Sequence, residues 1–201
     1  MIRTVKPPEV RRAELLDTAE RIFRLRGYAA STVEEIVREA DVAKGTFYHY
    51  FTTKEEVLEA LATRMVEGMA KGLSRIVSDQ SLAPMDKLQR MFAKMQQAGA
   101  ASRGVVDDLH RNGNRALHER NNVEIVRVLG PLFADVIEEG KLAGTFNVDD
   151  AVSTVQFIMA GSLFLFGEGI FNWTARERAA RVKAMKVLIR RALQIRNMAG
   201  T

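Results

Sequence analysis

Residues 11–58 read RRAELLDTAERIFRLRGYAASTVEEIVREADVAKGTFYHYFTTKEEVL, and their punctuation marks three helices and the start of a fourth. Leu15, Ala19, Ile22 and Phe23 recur at helical spacing and form one apolar stripe on a helix reading from about Pro8. Gly27 follows its last turn, where a left-handed stop is usual. Thr32-Val33-Glu34-Glu35 is a capping box, with the hydroxyl available to the Glu35 N–H and the carboxylate reaching back. The short helix it starts carries Ile36, Val37 and Ala40. Asp41-Val42 forms a tight turn, and a second short helix runs from about Ala43 to Tyr50. Thr53-Lys54-Glu55-Glu56 is another capping box, launching a long helix through Val57, Leu58, Leu61, Met65 and Met69 towards Val77.

Two short helices joined by a tight turn and braced by a longer one make a helix-turn-helix. Its second helix fits the major groove of a duplex. Phe47 and Phe51, four apart, share the buried side. Lys44, Thr46, Tyr48 and His49 fall on or near the opposite side, as a cation, a hydroxyl, a phenol and an imidazole. All can donate to phosphates, and Lys44 and Thr46 reach towards base edges. Gly45 has no side chain to hold the backbone off. Lys54 stands in the first turn of a helix, where the macrodipole favours anions, so a phosphate there gains from dipole and ammonium together. A solvated lysine is the plain alternative. Thr32 offers phosphate its hydroxyl, or simply caps its helix.

Beyond the head, Ala83-Pro84 opens a Met-rich helix with Leu88, Met91, Phe92 and Met95 on one side. After the break at Gly99 to Gly104, Val105, Val106, Leu109 and Leu117 mark one or two further helical pieces. Leu117, Ile125, Leu129, Leu132, Phe133 and Val136 stripe a long helix from about Asn114 to Glu139, which Gly130-Pro131 should kink. Asp149 or Asp150 caps an apolar helix running to Phe171. Thr174-Ala175-Arg176-Glu177 is a third capping box, opening a last helix with the seam Val182, Met185, Ile189, Ala192 and Ile195. No strand alternation and no internal repeat appear. The fold class expected is all-α: a three-helix helix-turn-helix head over residues 1–53, then a bundle of about six helices over 54–201 for ligand sensing and dimerisation.

Composition allows a packed core, with 47% of residues apolar. The absence of cysteine excludes disulfides and thiolate metal sites and fits a reducing cytoplasm. Met1 to Lys6 holds no apolar stretch of signal-peptide length, so a cytoplasmic location is expected. Ala151 to Phe171 approaches the length of a membrane span, but Gln156 and Glu168 interrupt it and Gly161, Gly167 and Gly169 weaken it. It reads as a buried or dimer-core helix, with no membrane partner. A net charge of +5 permits a nucleic-acid partner without requiring one. Residues 1–56 hold ten Lys/Arg against ten Asp/Glu, and the densest basic run is Arg176 to Arg196, so local placement must carry the argument. No nucleophile–base pair, paired carboxylates or metal cluster stands at workable spacing, so neither an enzyme nor a cofactor is expected. His110 with Asp107 and His118 lacks the usual metal-ligand spacing. The rival class is a helical protein-interaction module without DNA binding, separable by salt-dependent binding to duplex DNA.

The run Val42-Ala43-Lys44-Gly45-Thr46-Phe47-Tyr48-His49-Tyr50-Phe51, with Gly27-Tyr28, Ser31-Thr32-Val33, Ile36 and Lys54-Glu55-Glu56-Val57-Leu58, resembles the DNA-binding head of TetR-family regulators. A weaker echo sits at Ile137-Glu138-Glu139-Gly140, Gly144, Phe146 and Asp149-Asp150. Asp41 departs from the family's usual glycine in the turn, and Ala43 from its frequent polar cap. The resemblance implies a family domain reaching about residue 69, repression as the usual mode, and a palindromic double-stranded operator bound by a homodimer. It implies DNA contacts at Thr32, Lys44, Gly45, Thr46, Tyr48, His49 and Lys54, with Tyr50 beside them. It implies a four-helix interface between two copies through Phe157, Gly161, Leu165, Val182, Met185, Ile189 and Ala192. It also implies a central cavity for a small, largely apolar effector, lined by Met91, Phe92, Met95, Leu109, His110, Phe133, Phe157 and Phe164. Methionine's adaptability suits such a pocket, and plain core is the alternative for each of these residues.

Overall fold

The computed structural model describes residues 6–101, 115–167, 171 and 173–195. Among them are eight helices and no strand: α1 (Pro8–Arg26), α2 (Val33–Glu39), α3 (Lys44–Tyr50), α4 (Lys54–Val77), α5 (Pro84–Ala101), α6 (Arg115–Leu142), α7 (Ala151–Phe166) and α8 (Ala175–Ala192). The chain forms two compact units. One holds α1–α3 and α4 as far as Met65; the other holds α4 from Val66, then α5, α6 from Glu119, α7 and α8. The all-helical expectation is met. The helical pieces expected around Val105 to Leu109 lie outside the described residues.

In the first unit α1 buries Leu15, Leu16, Ala19, Ile22 and Phe23 and stops at Gly27, whose φ of 82° only glycine adopts freely. Both halves of the Thr32–Glu35 capping box form. Asp41 takes the turn with φ 50°, a left-handed backbone that aspartate tolerates better than most residues. Ala43 supplies no side-chain cap to α3. The box expected at α4 is divided between two threonines: Thr53 Oγ1 accepts from the Glu56 N–H, while the Glu56 carboxylate accepts from Thr52 instead. Val57, Leu58, Leu61 and Ala62 of α4 belong to the same core as Phe23, Ile36, Phe47 and Phe51, so the compact head reaches well past residue 53.

The second unit buries Leu73, Leu88, Met91, Leu129, Phe133 and Val136. The Phe146 ring lies where a Cβ on Gly140 would be, 2.1 Å from its Cδ2, so the glycine is what lets the ring lie flat on α6. Asp150 caps α7 through the Ser153 N–H at 2.9 Å, and Thr174 with Glu177 completes the box that opens α8. α7 ends at Phe166 after 16 residues, short of the expected Phe171. No helix among the described residues is long and apolar enough to cross a membrane.

Lys87 is 0% exposed; its ammonium donates to the Val77 carbonyl at 2.9 Å and to both Glu139 carboxylate oxygens at 2.9 and 2.7 Å. It ties the last residue of α4 to α5 and α6, because a buried cation must find acceptors for its protons. Lys87→Met should lower stability by about 1–3 kcal/mol, the cost of leaving a buried acceptor without its donor. An unchanged urea midpoint would show that the ammonium is solvated rather than tied.

Candidate nucleic-acid interface

A seven-residue helix with no side-chain cap does not stand alone, and α3 is held by its aromatic side. Phe47 is fully buried and Phe51 nearly so, their ring centroids 5.9 Å apart, with the Arg12 guanidinium 5.0 Å from the Phe51 ring. That anchoring turns Lys44, Gly45, Tyr48 and His49 to solvent, and Thr46 stays half-exposed. Tyr48 keeps 46% of its surface exposed although its ring meets that of Phe47 edge-on at 5.4 Å. A Cβ built on Gly45 meets nothing within 4 Å. Among the described residues, no contact therefore requires glycine there.

Tyr50 is half-buried against the head core, its ring edge-on to His49 at 4.9 Å, and so serves the scaffold as well as the face. Thr32 is exposed and engaged in its capping box. Lys44 Nζ lies 2.7 Å from Glu34 Oε1 and 5.9 Å from the centre of the Tyr48 ring. The carboxylate raises the ammonium's pKa, and the ammonium holds the Glu34 carboxyl below its usual range.

Lys54 departs from expectation. Its ammonium donates to the Tyr28 and Ser31 carbonyls, both at 2.8 Å, and sits 4.1 Å from the centre of the Tyr28 ring. Two of its three protons thus fasten the α1–α2 loop to the start of α4. Sequence spacing places the lysine in a first turn but does not reveal the carbonyls brought to it across 23 to 26 residues. The Tyr28 hydroxyl donates to Glu55 at 2.9 Å, and burial, then that carboxylate, pushes the phenol well above its ordinary range. Glu55 is held below the usual carboxylate range, first by its own backbone N–H and then by Tyr28.

In the second unit the expected pocket residues part company. Met91 and Phe133 are buried, Met95 is half-buried, and Phe92 lies at the edge with its ring 5.4 Å from that of Phe133. Phe157 and Phe164 are exposed among the described residues. Leu109 and His110 lie outside the described residues. An open groove of about 490 Å³ is lined by Glu67, Ala70, Lys71, Ser74, Arg75 and Val128. Among the described residues no metal-binding cluster occurs.

Of the expected interface residues, Phe157 is 81% exposed, and Gly161 and Leu165 share its face of α7 with Ala160 and Phe164. These positions recur at helical spacing, so the exposed apolar surface is one continuous stripe. On α8 the expected seam splits. Val182, Met185 and Ile189 are half-buried within the chain, Met185 against the Ser162 hydroxyl, whereas Ala192 is exposed. Val187 and Leu188, beside the stripe, also face outward.

Two family models match the chain. One, described as bacterial regulatory proteins of the tetR family, covers residues 15–61, and the other, described as a tetracyclin repressor-like C-terminal domain, covers 97–188. The HTH-type transcriptional repressor KstR2 of Mycolicibacterium smegmatis is 26% identical over 156 residues, 76% of this chain and 75% of that one. The fatty acid metabolism regulator protein of Bacillus subtilis is 25% identical over 170 residues, 82% and 84% of the two chains. Among solved structures, Thermus thermophilus FadR in complex with lauroyl-CoA has the same fold, with a TM-score of 0.63 at 21% identity over 94% of this chain and 98% of that one.

Gly45→Ala should leave the thermal midpoint unchanged or higher, since alanine is favoured over glycine in a helix by about 1 kcal/mol, while weakening binding to duplex DNA. Equal duplex affinity would show that nothing approaches that backbone. The stability contributed by the lowered Glu55 carboxyl is complete above the ordinary carboxylate pKa and lost as pH falls through the depressed value. Glu55→Gln should therefore flatten the acid limb of the stability–pH curve, and an unaltered limb would place the loss elsewhere.

Proposed function

Because the chain belongs to the TetR family of bacterial regulatory proteins, we propose that it is a cytoplasmic repressor that grips a palindromic operator as a homodimer and releases it on binding a small, largely apolar effector. It is a helix-turn-helix DNA-binding transcriptional regulator rather than an enzyme. One observation carries the assignment of α3 as the reading helix: Phe47 is fully buried while Lys44, Gly45, Tyr48 and His49 around it are exposed. Lys44, Thr46, Tyr48 and His49 supply donors to phosphates and base edges, and bare Gly45 lets the backbone come close. Thr32 contributes at the rim. Lys54 has one proton left for a phosphate after its two carbonyls, so its larger role is to hold the loop that presents Thr32.

The apolar stripe Phe157, Ala160, Gly161, Phe164 and Leu165 on α7, with Val187 and Leu188 on α8, supports pairing with a second copy. Exposed aromatics in a row are costly in water, and the small residues at its middle permit close helix approach. Two-fold pairing would set two α3 helices about 34–36 Å apart, in successive major grooves. The effector is assigned to the second unit, whose core mixes Met91 with half-buried Met69, Met95 and Met159, side chains that repack readily around an apolar guest. Displacement of α4 from Val66 onward would then oppose DNA binding, reciprocally and by about 1–3 kcal/mol.

Binding to duplex DNA should weaken steeply with salt, and Lys44→Ala should lower the slope by about one counterion. Tyr48→Ala should weaken binding without unfolding the head. Wild-type affinity in both variants would refute the assigned contacts. Phe157→Asp should give a monomer in sedimentation and cost affinity for a palindrome far more than for a half-site; a dimer of unchanged stability would overturn the α7 interface.

A further inference from the structure

Glu34 occupies the second position of α2, and its carboxylate meets the Lys44 ammonium at 2.7 Å across the turn that joins α2 to α3. Both side chains are open to solvent, 64% and 58% exposed, so the pair stands on the outer face of the head beside Tyr48. Other carboxylates of α1 and α2 also form ion pairs. Glu14, Asp17, Glu20, Glu35 and Glu39 take their cations from Lys6, α1 or α4. Among the described residues, Glu34 alone draws its cation from α3.

An exposed ion pair contributes little to stability, and a carboxylate in the first turn of α2 also suits the helix dipole. On a surface that meets a polyanion it is repelled, unless it faces a donor. The major groove offers such donors in amino groups on base edges, and a carboxylate accepts from the N4 amino group of cytosine. Lys44 spends one proton on Glu34 and keeps two, and an ammonium donates to guanine O6 and N7. Glu34 also holds the flexible lysine stem in one place, so less freedom is lost when the pair docks.

We propose that Glu34 and Lys44 act as one base-reading unit, the carboxylate accepting from a cytosine amino group and the ammonium donating to a guanine, so that each operator half-site carries a cytosine opposite Glu34. This rests on the DNA-binding reading above and adds a specificity-determining residue to it. It also predicts which base replaces cytosine when the carboxylate becomes an amide, because glutamine pairs with adenine through N6 and N7.

The test is selection from random duplex DNA with the wild-type chain, Glu34→Gln and Glu34→Ala, each checked for intact helicity by circular dichroism. The wild-type pool should show one recurrent cytosine in each half-site. Glu34→Gln should replace it with adenine and Glu34→Ala should erase the preference, with the remaining positions unchanged. Substituting that cytosine in the selected operator should cost the wild-type chain roughly tenfold in affinity. The proposal fails if both variants keep the wild-type preference and bind all duplexes more tightly by one common factor, which would make Glu34 a repulsive charge only. It fails equally if folded variants lose all duplexes alike. If the wild-type chain binds no duplex, the DNA-binding reading itself falls, a result distinct from either of these.

Discussion

The burial of Phe47 is the contact on which the rest of the head depends. α3 has seven residues and no side-chain cap, too little for a helix to persist in water by its own hydrogen bonds. Packing Phe47 and Phe51 among Phe23, Ile36 and Leu58 supplies the missing stability and, with it, the orientation. Because a helix fixes each side chain's direction relative to its neighbours, burying one aromatic side decides what the other side shows. Lys44, Gly45, Tyr48 and His49 are exposed as a consequence of where two phenylalanines are buried.

Electrostatics in the head works by placement. Acid and base balance over the first 56 residues, ten against ten, and most cations there are paired within the protein. Arg64 joins α4 to Asp17 and Glu20 of α1, Arg26 meets Glu35, and Arg21 meets Glu39. These pairs fasten helices to one another at the surface. Lys54 spends its charge on two carbonyls for a similar end, giving the α1–α2 loop a fixed seat. On α3, Lys44 stays exposed while its ammonium is shared with Glu34.

The second unit divides its apolar residues between inside and outside. Met91, Leu129 and Phe133 close the core, and Lys87, buried beside them, satisfies its protons with Val77 and Glu139. α7 and α8 turn one side inward, through Val155, Met185 and Ile189, and leave Phe157, Phe164, Leu165 and Leu188 outside. A helix apolar nearly all round has two faces to bury, and among the described residues only one of them is covered.

Periodicity and capping chemistry determined the helices, because both act within four residues and are written directly in the order of the chain. Thr32 with Glu35, Thr174 with Glu177, and the stripe from Leu15 to Phe23 appear where the spacing put them. The inward turn of Phe47 and Phe51 was readable for the same reason. Tertiary structure alone decided who meets whom across longer separations: Lys54 with the Tyr28 and Ser31 carbonyls, Lys44 with Glu34, Lys87 with Glu139. It also decided that Phe157 is exposed, and that Val187 and Leu188 face outward as Ala192 of the seam does. Local spacing names the face on which a side chain lies. Which element covers that face depends on how distant segments come together in space, and no short window of sequence contains that.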